Sequence, residues 1–187
     1  MNQSITPLLV FIAGTIWLTP LARADDTRDN PNYQVWSKFK PGSTSTVSAD
    51  LRDGQDNIHV ETTRTLVSIT ADQVVIHKVS TATQKGHIKT QAPVTETIPA
   101  KTTKDEIKET GHKDVDAMGK TFNCRVWDST TAPPKANTGP GAKPAPGDGV
   151  KATIYISDDV PGGIVRLDGT GPNGQSLVFV LTKFETK

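Results

Sequence analysis

From residue 43 onward, Thr, Val and Ile recur at alternating positions, and Gly, Pro, Asn and Asp cut the pattern at short intervals. Successive side chains of a strand point to opposite faces, so this alternation predicts half-buried β-strands joined by tight turns. Residues 43–51 read as a polar strand ending at Asp53-Gly54. Residues 58–70 and 74–80 read as a hairpin about Ala71-Asp72. That two-residue loop sets Val67 opposite Ile76 and Ile69 opposite Val74, gathering four branched apolar side chains on one face. In residues 87–98, Ile88, Ala92, Val94 and Ile98 share a face. Pro93 within that stretch marks an edge or a bulge, because it cannot donate to a ladder.

Residues 104–117 and 121–130 read as a second hairpin, about Gly119-Lys120. Its inner face takes Val115, Ala117, Phe122, Cys124 and Val126, and Trp127 points outward. Residues 150–156 alternate again, with Val150, Ala152, Ile154 and Ile156 inward. Ser157 to Gly163 makes a compact turn before a strand at 164–167, and residues 169–174 make another. The last strand, 177–184, begins apolar on both faces (Leu177, Val178, Phe179, Val180, Leu181) and therefore needs cover on both. The segment expected to cover it is a helix at 31–39. Asn30 is placed to cap that helix, Pro31 suits its first position, Trp36 and Phe39 share a face, and Lys40-Pro41-Gly42 stops it. The predicted fold class is mostly β: a curved antiparallel sheet, open or half barrel, of about eight to ten strands with one short N-terminal helix.

Upstream of this domain the chain has a different character. Residues 8–18 (LLVFIAGTIWL) are apolar and uncharged, too short to span a bilayer and suited to the core of a secretory signal peptide. Pro20 breaks the run, and Ala22-Arg23-Ala24 offers small residues at the two positions a signal peptidase reads. The expected organisation is a signal peptide at 1–24 and a single antiparallel β domain at 25–187, exported to the periplasm or secreted, with no membrane span after cleavage. Arg23 is the only charged side chain in the leader, so the 21 basic and 20 acidic residues of the chain become 20 of each after cleavage. A binder of nucleic acid needs a basic excess, and none is present. Cys124 is the sole cysteine, which excludes an intramolecular disulfide despite the oxidising destination. Residues 132–149 (APPKANTGPGAKPAPGDG) hold nothing that buries apolar area and read as a disordered loop inserted between strands.

Four groups of short motifs carry a resemblance. They are Trp36-x-x-Phe39-Lys40-x-Gly42-Ser43; Thr65-Leu66-Val67 with Val74-Val75-Ile76; Val115-x-x-x-Gly119-Lys120-x-x-x-Cys124; and the run from Ile156 through Ser157-Asp158-Asp159-Val160-Pro161-Gly162-Gly163 to Val165. Their order resembles that of a group of uncharacterised exported bacterial β-sheet proteins. The layout, a curved sheet with a small covering helix, is also similar to the periplasmic lipoprotein carriers of the LolA/LppX type. That second resemblance implies a concave apolar face able to hold an acyl chain.

Residues that could carry chemistry each read more simply. Cys124 alternates with Phe122 and Val126, where a thiol behaves as a small core hydrophobe. His59, His77, His87 and His112 lack the close spacing of zinc ligands, although His59 and His77 could approach across a sheet. The stretch 50–57 lacks the alternating oxygen ligands and downstream Glu of a calcium loop and reads as a turn. Asp158-Asp159, a possible carboxylate pair, precedes Val-Pro-Gly-Gly and reads as a turn cap. No catalytic residue, metal ligand set or cofactor is predicted. The expected function is binding or carriage of a lipophilic or small ligand on the concave face, with Val115, Phe122, Cys124, Val126, Ile154 and Phe179 as the inner-face candidates. The alternative is a structural or interaction module that meets another protein of the cell envelope, and a third reading is a small enzyme using Cys124 or Asp158 and Asp159.

Overall fold

The computed structural model describes residues 27–53, 56–103, 107–131, 150–170 and 176–187. The expected signal peptide and the Pro/Gly-rich segment 132–149 lie outside them. Asn30 opens helix α1 (Pro31–Trp36), its side chain accepting from the Asn32 N–H at 3.0 Å, with Pro31 in the first turn. The helix is shorter than its apolar spacing predicts, and its last turn continues to Phe39, whose N–H donates to the Trp36 carbonyl at 3.1 Å.

The remaining elements are strands: β1 (Thr27–Asp29), β2 (Thr44–Asp53), β3 (Asp56–Ile69), β4 (Gln73–Gln84), β5 (His87–Thr90), β6 (Val94–Pro99), β7 (Lys101–Thr103), β8 (Ile107–Ala117), β9 (Lys120–Thr131), β10 (Val150–Ile156), β11 (Ile164–Thr170) and β12 (Ser176–Glu185). Ten of them form one antiparallel sheet in the order β5-β4-β3-β2-β12-β11-β10-β9-β8, with β6 pairing β4 beside β5. Strands β1 and β7 form a separate two-stranded ribbon. The sheet does not close, as a mostly β, open and curved architecture requires. Its curl is strongest at one end, where β8 returns into contact with β11 and β12.

Bulges supply the curvature and correct the simple alternation. In the β3–β4 hairpin Ile69 faces Val74, as the Ala71-Asp72 loop dictates, but Ile76 faces Leu66 rather than Val67. Val67 is the extra residue of a bulge and is left 39% exposed. The β8–β9 turn is Met118-Gly119, one residue earlier than expected, and both residues take left-handed backbone conformations that match the strand twist. A second bulge, opposite Val126 and Trp127, accompanies a change in which residues of β9 are covered: Phe122 and Cys124, then Trp127 and Ser129. Trp127 is therefore buried, against expectation, and Val126 is only half-buried. The stretch 87–98 is two strands, β5 and β6, which pair different parts of β4 and part at Pro93. Ile88 and Val94, expected inward, are 71% and 50% exposed; Ile98 alone of that set is buried.

Helix α1 joins two packed clusters. Val35 belongs to the larger, with Phe122, Cys124, Trp127, Ile154, Ile156, Leu167 and Leu181; Trp36 centres the smaller, with Leu66, Val74, Ile76 and Ile98. The helix thus covers β4 and β6 and the turn after β10, and not chiefly the apolar last strand as the sequence suggests. The Ser157–Gly163 turn is shaped to receive it. A Cβ on Gly162 would lie 2.5 Å from the Trp36 ring, and one on Gly163 2.5 Å from Ile156 and 3.1 Å from Val35. Both glycines also have φ above +70°, so glycine is needed twice over. The Ser157 N–H closes the turn on the Gly163 carbonyl at 2.8 Å.

Candidate functional site

The inner face of the sheet is the side on which α1 lies, and registers fix its residues. On the β8–β12 side Ile154 stands opposite Trp127 and Leu167, Leu167 opposite Phe179, and Leu181 opposite Val47 of β2. Of the predicted ligand contacts, Val115, Phe122, Cys124 and Ile154 are buried in one cluster, and half-buried Phe179 packs against it. Val126 is half-buried and is not part of that cluster. Phe39, Tyr155, Val180 and Phe184 line its margin, and the Phe122 and Phe184 rings meet edge-on at 6.3 Å.

Cys124 sits at the centre of this side with no exposed surface, its Sγ donating to the Phe122 carbonyl at 3.5 Å. Burial, and secondarily the nearby Asp114 carboxylate, pushes its pKa up to about 11, so the thiol stays protonated near neutrality. The Asp158-Asp159 pair divides its roles. Asp158 bonds Lys38 Nζ at 2.6 Å and Arg125 Nη2 at 2.9 Å, tying the end of the helical turn and β9 to the Gly162-Gly163 turn. Burial pushes its carboxyl up, but those two cations together outweigh it and hold the pKa below the ordinary range. The Asp159 N–H caps Ser157 Oγ at 3.4 Å. His59 bonds Asp50 at 2.8 Å on the outer face, and its ladder partner is Thr83, whereas His77 pairs with Thr65, so the two imidazoles do not meet. Among the described residues no three His, Cys, Asp or Glu side chains gather as metal ligands. No helix among them is long and apolar enough to cross a membrane.

The β2–β6 side has a different inner face. Moving away from α1, the inward pairs of β3 and β4 are Leu66–Ile76, Arg64–Lys78, Thr62–Ser80, Val60–Ala82 and Ile58–Gln84. Strand β2 adds Ser45 beside Arg64, Val47 beside Thr62, Ala49 beside Val60 and Leu51 beside Ile58. Two polar layers therefore cross an otherwise apolar floor. In one, Thr62 and Ser80 are buried and share a hydroxyl hydrogen bond of 3.0 Å. In the other, Lys78 reaches diagonally to Glu96 of β6 at 3.7 Å, while Arg64 Nε is sealed from solvent with no hydrogen-bond partner. Burial lowers the Arg64 pKa and Glu96 only partly offsets this, yet a guanidinium remains charged. Sequence reading missed this layer because the bulge at Val67 reverses the parity of β3. Counted outward from the turn at strict period two, Arg64 falls on the solvent side; the buried position of Leu66 is what would have revealed it.

Neither models of known protein families nor curated proteins match this sequence.

Proposed function

We propose that this is an exported, non-enzymatic protein that binds a lipophilic or other small ligand on the inner face of its curved sheet. The observation that carries the reading is an apolar stretch of that face that belongs to neither packed cluster. The larger cluster consumes the β8–β12 side, and Trp36 consumes the β3–β4–β6 corner. Ala49, Ile58 and Val60 are buried apolar residues outside both clusters, and the Thr62–Ser80 layer separates them from Arg64, whose buried Nε has no hydrogen-bond partner among the described residues. Pockets for small ligands combine such an apolar lining with a few placed polar groups. Export rests on the apolar run at 8–18 and the Ala22-Arg23-Ala24 site, and the resemblance to lipoprotein carriers agrees with both. Native mass spectrometry of protein purified from its own host tests this: a co-purifying amphiphile is expected, and a clean apo mass in every preparation overturns carriage. N-terminal sequencing tests the export step, with Asp25 expected as the first residue.

One observation favours a second reading, docking on an envelope protein. Strands β5 and β6 form an outer edge of the sheet, and Ile88 and Val94 stand exposed there. Free strand edges are templates for pairing with another chain. Pull-down with the Ile88→Lys/Val94→Lys variant separates the readings, since loss of a partner with retention of bound ligand supports docking by this edge.

A further inference from the structure

We propose that Arg64 anchors an anion site on the inner face and that its ligand is the carboxylate head of an apolar organic acid. The inference rests on the ligand-binding reading above and names the ligand's chemistry. A guanidinium nitrogen withdrawn from water is costly unless it is paired, and protein folds normally supply the partner. Here the carboxylate whose charge bears on Arg64, Glu96, is engaged by Lys78, and among the described residues Arg64 has no ion pair of its own. Its Nε is buried without an acceptor. Two other buried nitrogens share that condition, Arg28 Nε and Trp127 Nε1, but the Arg28 guanidinium has other contacts, standing 5.8 Å over the Trp127 ring, and the indole is a neutral donor far cheaper to leave unmet.

Charge selects the class of anion. Lys78 is the cation set against Glu96, so Arg64 is the charge that a monoanion would meet, and a phosphate dianion would bring a second negative charge toward Glu96. The planar fork of arginine matches a carboxylate in two parallel hydrogen bonds. One layer further from α1 is the Thr62–Ser80 hydroxyl pair, in which whichever oxygen accepts keeps its own O–H to donate. Apolar residues flank the polar layers on both sides, Leu66 and Ile76 toward the helix and Val60 and Ala82 away from it, so the body of the ligand should be hydrocarbon. The layer meets solvent, because the Lys78 and Glu96 side chains retain 14% and 21% of their exposure and Arg64 is half-buried.

Isothermal titration calorimetry of the delipidated protein with decanoate, 1-decanol and acetate tests the assignment, alongside thermal unfolding of each variant without ligand. The wild type should bind decanoate at least about tenfold more tightly than 1-decanol, and Arg64→Met should abolish that preference. Arg64→Lys, which keeps the charge and loses the fork, should retain part of it. In the absence of ligand, Arg64→Met should melt at the same temperature as wild type or higher, since it removes a partly desolvated charge whose buried Nε has no partner. A lower melting temperature in Arg64→Met makes Arg64 a structural residue and overturns the site. Equal binding of decanoate and 1-decanol, unaffected by Arg64→Met, overturns the site and leaves ligand carriage standing. Acetate binding as tightly as decanoate overturns the hydrocarbon body. If none of the three binds, the site is overturned; carriage then stands or falls on the co-purified ligand.

Discussion

The two sides of the inner face are built from the same kind of strand and spend their side chains differently. On the β8–β12 side, Phe122, Cys124, Trp127, Ile154 and Leu181 cover one another, and the thiol among them is sealed and protonated. On the β2–β6 side the inward ladder carries polar layers between apolar ones and leaves the Arg64 Nε without a hydrogen-bond partner among the described residues. One side stabilises the fold; the other tolerates a cost that stability alone does not explain. The Gly162-Gly163 turn and α1 join the two, because Val35 packs into the first cluster and Trp36 into the second.

That contrast can be broken most sharply at Cys124. With its pKa at about 11 against an ordinary 9.0, its thiolate fraction at pH 8 is about a hundredfold lower than that of an unfolded thiol. Burial adds to this, so iodoacetamide should label the native protein more than a hundredfold more slowly than the urea-unfolded chain. Labelling of the native protein at the unfolded rate would mean that this side is open. A chemically identical pair of truncations compares the two floors directly. Ile154→Ala should cost about 3–5 kcal/mol in urea unfolding, because its cluster cannot collapse around the hole, and Ile58→Ala should fall near the lower end of the large-to-alanine range, about 2 kcal/mol. Equal losses would mean that the β2–β6 floor is packed as fully as the other.

Gly163→Ala tests the joint between the sides. Positive φ and a Cβ pressed on Ile156 and Val35 should together cost about 2–4 kcal/mol, again by urea unfolding. The smallest effect belongs to Asp158. Its folded pKa is depressed, so its contribution is fully present above the unfolded carboxylate pKa and is lost as pH falls through the lower folded value. Asp158 is half exposed, so screening limits the loss to at most about 1 kcal/mol. Asp158→Asn should lower stability slightly at pH 7 and flatten the acid limb of the stability curve.

Alternation and turn residues made most of the strands legible, along with the Asn30 cap and the open mostly-β class. What they could not convey is where the alternation breaks. A bulge adds one residue without changing composition, so residues near Val67 read equally well in either parity. That single residue decides whether Arg64 faces solvent or the inner floor. Beside the second bulge the covered residues of β9 change from Phe122 and Cys124 to Trp127 and Ser129, so an expected inner-face contact is half-buried while the expected outward indole is in the core. Four of the six anticipated ligand contacts lie in packed core, because apolar character at an inward position marks burial before it marks binding. Polar residues at inward positions are the sharper signal, and register alone exposes them.

The position of β12 has a consequence for how the molecule is assembled. It is the latest of the described strands in sequence order, yet it lies between β2 and β11 in the sheet and pairs Leu181 with Val47. Until it inserts, the β2–β6 hairpins and the β8–β11 hairpins are two separate ribbons with bare edges. Closing that long loop is an entropic barrier that local hairpin formation does not face. Completion of the sheet therefore waits on residues 176–185, which pair with β2 on one side and β11 on the other. Under the export proposed above, a keystone strand placed this late would keep the earlier segments in a threadable state.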